Sequence, residues 1–143
     1  MLSRPEHGWT YFCLGEQTYG LSYLTDIPLD WLDKAIAGLQ TMSPFAVSGM
    51  CEPGVCVCTV ELQSCKICGP QGETACLPVS MQRFCIQLLE DIQKDLDAWS
   101  AWLPEAGYSE KERLRRHGER AAQLCLRLEQ LGKLIGQRKG DFL

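Results

Sequence analysis

The chain changes character at Ser80. Beyond it, apolar residues recur at helical spacing almost to the end; before it, short aromatic and β-branched runs alternate between turn signals. Ser80 is placed to cap a helix whose stripe is Met81, Cys85, Leu88, Ile92, Leu96, Trp99 and Leu103, with Pro104 and Gly107 ending it. Ser109 then opens a second helix, with Glu112 three residues on as the partner in a capping box. Its stripe is Leu114, Ala121, Leu124, Leu128, Leu131 and Ile135. Gly132, Gly136 and Gly140 each cost about 1 kcal/mol of helix propensity relative to alanine, which predicts fraying beyond 131. Two helices with a short connection make an antiparallel αα-hairpin over 80–137.

The region before Ser80 reads as a sheet with one helix inserted. WTYFCLG (9–15) and TYGLSYL (18–24) form a β-hairpin. Asp26 is an N-cap candidate, Pro28 falls in a first turn, and Leu29, Leu32, Ile36 and Leu39 recur at helical spacing, so a helix is expected over 28–40. SPFAVSGM (43–50), GVCVCTVEL (54–62) and TACLPV (74–79) are strand candidates separated by the turns CEPG and GPQGE. In the second of these, Val55, Val57, Thr59 and Glu61 point one way, while Cys56, Cys58, Val60 and Leu62 point the other and are all apolar. The expected architecture is a single α+β domain over 1–143: a mainly antiparallel sheet over 9–79 with one intervening helix, then the C-terminal αα-hairpin.

At 143 residues, 45% hydrophobic and 22% charged, the chain can bury an ordinary core without covalent staples. The N-terminus MLSRPEHGWT has no apolar signal region, and no run approaches a membrane span, so a cytoplasmic protein is expected. Nine cysteines, an odd number, read as reduced thiols rather than a disulfide framework. Charge is asymmetric. Residues 1–106 hold 5 basic against 13 acidic residues, and 107–143 hold 9 against 5. That excludes a uniformly basic nucleic-acid binder.

The densest chemical signal is CEPGVCVCTVELQSCKICGP (51–70). CKICG matches the knuckle of zinc ribbons, in which Cys65 and Cys68 would need two more thiolates from Cys51, Cys56, Cys58 and Cys76. No second CxxC is present, so no bound metal or other cofactor is expected, and zinc stays the alternative. A redox pair would want the first cysteine at a helix N-terminus, whereas CKIC is expected at the end of a strand, followed by Gly-Pro. The favoured reading is cysteine as a small core residue.

Other catalytic chemistry is poorly represented. His7, in an N-terminal segment expected to be mobile, and His117, among arginines, are the only histidines. Nucleophile-elbow, zincin, P-loop and dinucleotide fingerprints are missing. Glu90, Asp91, Asp95 and Asp97 read as a solvated face or as the complement of the basic helix carrying Lys111, Arg113, Arg115, Arg116 and Arg120. Trp99 and Trp102 lie one turn apart and do not both fit the centre of a narrow stripe, so one is a candidate interface anchor. Trp31, off its helix's main stripe, is another.

The order of an aromatic hairpin, DIPLDWLDKAIAGLQ, SPFAVSG with a second hairpin, and VSMQRFCIQLLEDI resembles that of small bacterial toxin-immunity-type α+β proteins, over about residues 9–95. The resemblance implies binding and blocking of a partner rather than chemistry. The function expected is therefore a non-catalytic protein-binding module anchored by Trp31, Trp99 and Trp102. A zinc-stabilised structural or regulatory domain and a cysteine-dependent enzyme are the alternatives. Ala122, Cys125, Leu126 and Leu134 offer apolar surface for a homodimer through the C-terminal helices.

Overall fold

The computed structural model describes residues 1–104 and 106–142. Its elements are β1 (Trp9–Leu14), β2 (Gln17–Ser22), α1 (Ile27–Thr41), β3 (Phe45–Met50), β4 (Val55–Val60), β5 (Cys65–Cys68), β6 (Thr74–Leu77), α2 (Met81–Lys94), α3 (Leu96–Ser100) and α4 (Glu110–Gln137). The fold is α+β and every strand pairing is antiparallel. Among the described residues no helix is long and apolar enough to cross a membrane.

Alternation selects the inner faces. Thr10, Phe12 and Leu14 of β1 are buried while Trp9, Tyr11 and Cys13 face out. In β4, Cys56, Cys58 and Val60 are buried, as the sequence pattern requires; Leu62 lies past the strand end and is exposed. The two strand groups do not merge into one sheet, however. β1–β2 stands alone, and β3-β4-β5-β6 is a separate four-stranded meander. The second edge of β1 is taken instead by the N-terminal segment: Ser3 N–H donates to the Tyr11 carbonyl at 2.9 Å and Cys13 N–H to that of Met1 at 2.7 Å. The segment is thus docked, contrary to the expectation of a mobile N-terminus. The hairpin reaches β3 through close packing, since a Cβ on Gly49 would stand 2.7 Å from a Leu21 methyl.

α1 spans slightly more than the expected 28–40 and buries Ile27, Trp31, Leu32, Ala35 and Leu39. It approaches β3 so closely that a Cβ on Gly38 would clash with the Phe45 ring. Asp26 does not cap it. Its carboxylate accepts two hydrogen bonds, both at 2.9 Å, from the guanidinium of Arg120 on α4.

The expected long helix after Ser80 is broken at Asp95, whose backbone (φ −120°, ψ 38°) leaves helical space. Helix α3 itself ends at Ser100, so Trp102 lies in the non-helical segment beyond it and is buried beside Trp99, which one continuous straight stripe would not permit. Ser80 and Ser109 cap as expected, accepting from the N–H groups of Arg83 and Glu112 at 3.1 and 3.2 Å. α4 returns along α2 and α3 and also covers α1. It runs to Gln137, beyond the expected fraying at 131, because Arg138 ties its end to the carbonyls of Leu39 (3.0 Å) and Gln40 (2.7 Å). Its buried face is Arg120, Leu124, Leu128 and Leu131; Leu114, expected on that stripe, is exposed.

Charge pairing is intramolecular, but with other partners than the sequence suggested. Arg120 and Arg127 of α4 pair with Asp26 and Asp33 at α1. The acids of α2 and α3 hold the N-terminal segment: Asp91 accepts from Leu2 N–H at 2.8 Å, and Arg4 contacts Asp95 and Asp97 at 3.1 and 2.8 Å.

Candidate functional site

The CKIC motif forms strand β5 rather than a turn, and this decides its chemistry. Residues three apart on a strand project from opposite faces. Cys65 and Ile67 point into the core, while Lys66 and Cys68 point outward. The candidate ligands are divided in the same way. Cys56 and Cys58 face inward, Cys76 stands opposite Lys66 on the outer face, and Cys51 lies just past β3. Among the described residues no three His, Cys, Asp or Glu side chains are grouped to hold a metal. The knuckle geometry of a zinc ribbon is therefore not formed by these residues.

The inward thiols are packing groups. Cys65 Sγ donates to the Val79 carbonyl at 3.3 Å. Hydrogen bonding to Cys65, together with burial, pushes the Cys58 thiol up from its ordinary range. Burial pushes Cys56 and Cys85 up to about 12 each. Such thiols stay protonated at neutral pH and are poor nucleophiles. All nine cysteines are free; Cys13, Cys76 and Cys125 are exposed.

The three tryptophans expected to anchor a partner are core residues. Trp31 packs edge-on against Phe12 (5.1 Å between centroids) and stacks on Phe84 (6.2 Å), and its Nε1–H donates to the Ser48 carbonyl at 2.9 Å. Trp99 and Trp102 pack on each other at 5.3 Å, and Trp102 Nε1–H donates to the Thr25 carbonyl at 2.8 Å. The indole N–H groups of Trp31 and Trp102 find backbone acceptors, whereas Trp99 Nε1 is buried without a hydrogen-bond partner among the described residues; all three rings are enclosed in the core, so none is free to act as an anchor.

The exposed indole is the fourth, Trp9. Trp9 is 39% and Tyr11 60% exposed, side by side on the outer face of β1. Opposite Tyr11 in the register is Gly20, and a Cβ built there would lie 3.7 Å from both rings, so the glycine leaves a slot between them. Beside the rings runs a groove of about 530 Å³ lined by Ser3, Arg4, Glu6, His7, Trp9 and Tyr11. It shares Arg4 and His7 with a second cleft of about 570 Å³ that continues past Tyr23 to Trp102 and Pro104. Arg4 is fixed at this junction by its hydrogen bonds to Asp97 and Asp95, which raise its pKa; the same contact holds the Asp97 carboxyl below its usual range. An aromatic pair on a paired strand, a backbone slot and a guanidinium held by two carboxylates offer an extended or protruding ligand a surface that is largely formed beforehand. The signal was present in WTYFCL, where alternation sets Trp9 and Tyr11 on the face opposite Phe12.

The outer face of the four-stranded sheet is a second exposed surface. Its outward residues include Ala46, Ser48, Val57, Thr59, Cys68 and Cys76, and Lys66 is the sole charge in the four strands. No family model, no curated protein and no solved structure matches this chain.

Proposed function

We propose that this chain is a non-catalytic protein-binding module whose contact surface is centred on Trp9 and Tyr11. The observation that carries the reading is their exposure as a pair on a strand whose opposite face is core. Folding requires Phe12 and Leu14 inside; it does not require two large aromatic rings outside. Tryptophan and tyrosine are the residues most enriched at interface hot spots, and a β-hairpin holds them at little entropic cost. The acidic excess of residues 1–106 fits a basic partner, whose encounter it would accelerate. Blocking such a partner, as immunity-type proteins do, is the role this supports. Nine free thiols fit a reducing, cytoplasmic setting.

The test is affinity capture from cells that encode the chain, comparing the wild type with Trp9→Ala/Tyr11→Ala by quantitative mass spectrometry. The reading expects a stoichiometric protein species depleted at least tenfold by the double substitution, with unchanged thermal stability of the bait. If the double variant retains every species that the wild type captures, this surface is not the binding site.

A further inference from the structure

The outward face of α4 carries exposed leucines and a mid-helix glycine that the packing of the monomer does not require. On a helix of 100° per residue, the meridian opposite the buried Arg120 passes through Lys111 and Glu129 and between Gly118 and Ala122. Leu114 and Leu126 flank it symmetrically, one on each side. These leucines are 65% and 68% exposed, the two most exposed large apolar side chains described. Gly118 sits mid-helix, where glycine costs about 1 kcal/mol relative to alanine. A Cβ there would meet nothing within 4 Å, so its own chain imposes no need for it.

Six positions of this face are palindromic about position 120 in size and reversed in charge: Lys111, Leu114, Gly118, then Ala122, Leu126, Glu129. Arg115 and Cys125, about 40° from the meridian, depart from it, and Arg115 is held by Glu112 and Glu119 of its own helix. A two-fold axis produces that relation in a self-complementary contact. We infer that α4 is a homodimerisation helix, crossing an antiparallel second copy of itself at Gly118 and Ala122. Small residues at the crossing let the backbones approach closely. Leu114 of each chain then lies beside Leu126 of the other, where crossed helices begin to diverge and leave room. Lys111 faces Glu129 of the second copy at both ends, joining the pair that Glu129 already makes with Lys133 of its own helix at 3.1 Å, so the register brings charges of correct sign together twice. Parallel alignment would instead set like charges against each other at both positions. Single-helix contacts of this length bury less than a standard interface, so the dimer is expected in the micromolar range. The surface is distinct from that of Trp9 and Tyr11, and the two proposals stand or fall separately.

Sedimentation velocity across a concentration series tests it, with circular dichroism confirming that each variant is folded. The wild type should dimerise reversibly. Ala122→Arg, placing a long charged side chain at the crossing, should weaken association at least tenfold. Lys111→Glu and Glu129→Lys should each weaken it severalfold, and the two together should restore it. A wild type that stays monomeric to high micromolar concentration overturns the inference. So does a dimer indifferent to Ala122→Arg, or a charge-swapped double variant no tighter than the single ones.

Discussion

The two sheets solve the same burial problem and leave different surfaces. Each is antiparallel, with one face on the core. Outside, the β1–β2 hairpin displays Trp9 and Tyr11, while the meander displays small, almost uncharged residues with Lys66 as the exception. Folding constrains inner faces strongly and outer faces weakly, so a costly outer residue points to a task beyond folding. Trp31 shows the contrast within one residue type. It touches Phe12 of the hairpin, Phe84 of α2 and the backbone of β3, tying both sheets to the helices.

The largest effect that would break this comparison is in the indoles. Trp31→Ala should cost about 3–5 kcal/mol in chemical denaturation, and Trp9→Ala within about 0.5 kcal/mol. Equal costs would mean that Trp9 is structural and the hairpin's outer face has no separate role.

The next concerns the thiols of the inner faces. Cys56 and Cys85 have folded pKa values raised to about 12 from 9.0. The stability they confer is complete below pH 9, where both states hold the proton, and is lost as pH rises through the folded value. The expected slope is about 1.4 kcal/mol per pH unit for each thiol between those limits. Cys85→Ala should remove one share of it. A flat profile from pH 9 to 11 would show that these thiols are not desolvated as described.

The smallest effect sharpens the division between faces inside one motif. Cys65→Ala should cost about 1–2 kcal/mol through lost packing, and Cys68→Ala within about 0.5 kcal/mol. A metal chelator should leave the melting temperature unchanged. Equal and large losses for both cysteines, together with sensitivity to the chelator, would restore a shared metal site.

Much of the fold was legible because it depends on local periodicity. Period-two alternation placed Cys56, Cys58 and Val60 inside, and the caps at Ser80 and Ser109 follow from short-range hydrogen bonding. The site was legible only in part. Trp9 and Tyr11 could be read from alternation in β1, but helical spacing around Trp99 and Trp102 misled, because the break at Asp95 and the helix end at Ser100 lie outside what periodicity encodes. CKIC likewise carries no mark of whether it is a turn or a strand. Pairing with Val57–Val60 and Thr74–Leu77 decides that, and so sends its sulfurs to opposite faces.

By itself, then, the sequence determined the class of the fold, the inward residues of the strands and the start of each late helix, since all these are set within a few residues. The tertiary structure alone decided which charges meet. Asp26 binds Arg120 rather than capping α1, and Asp91, Asp95 and Asp97 hold the N-terminal segment rather than α4. Partners some ninety residues apart are chosen by how the layers pack, and no local pattern records that choice.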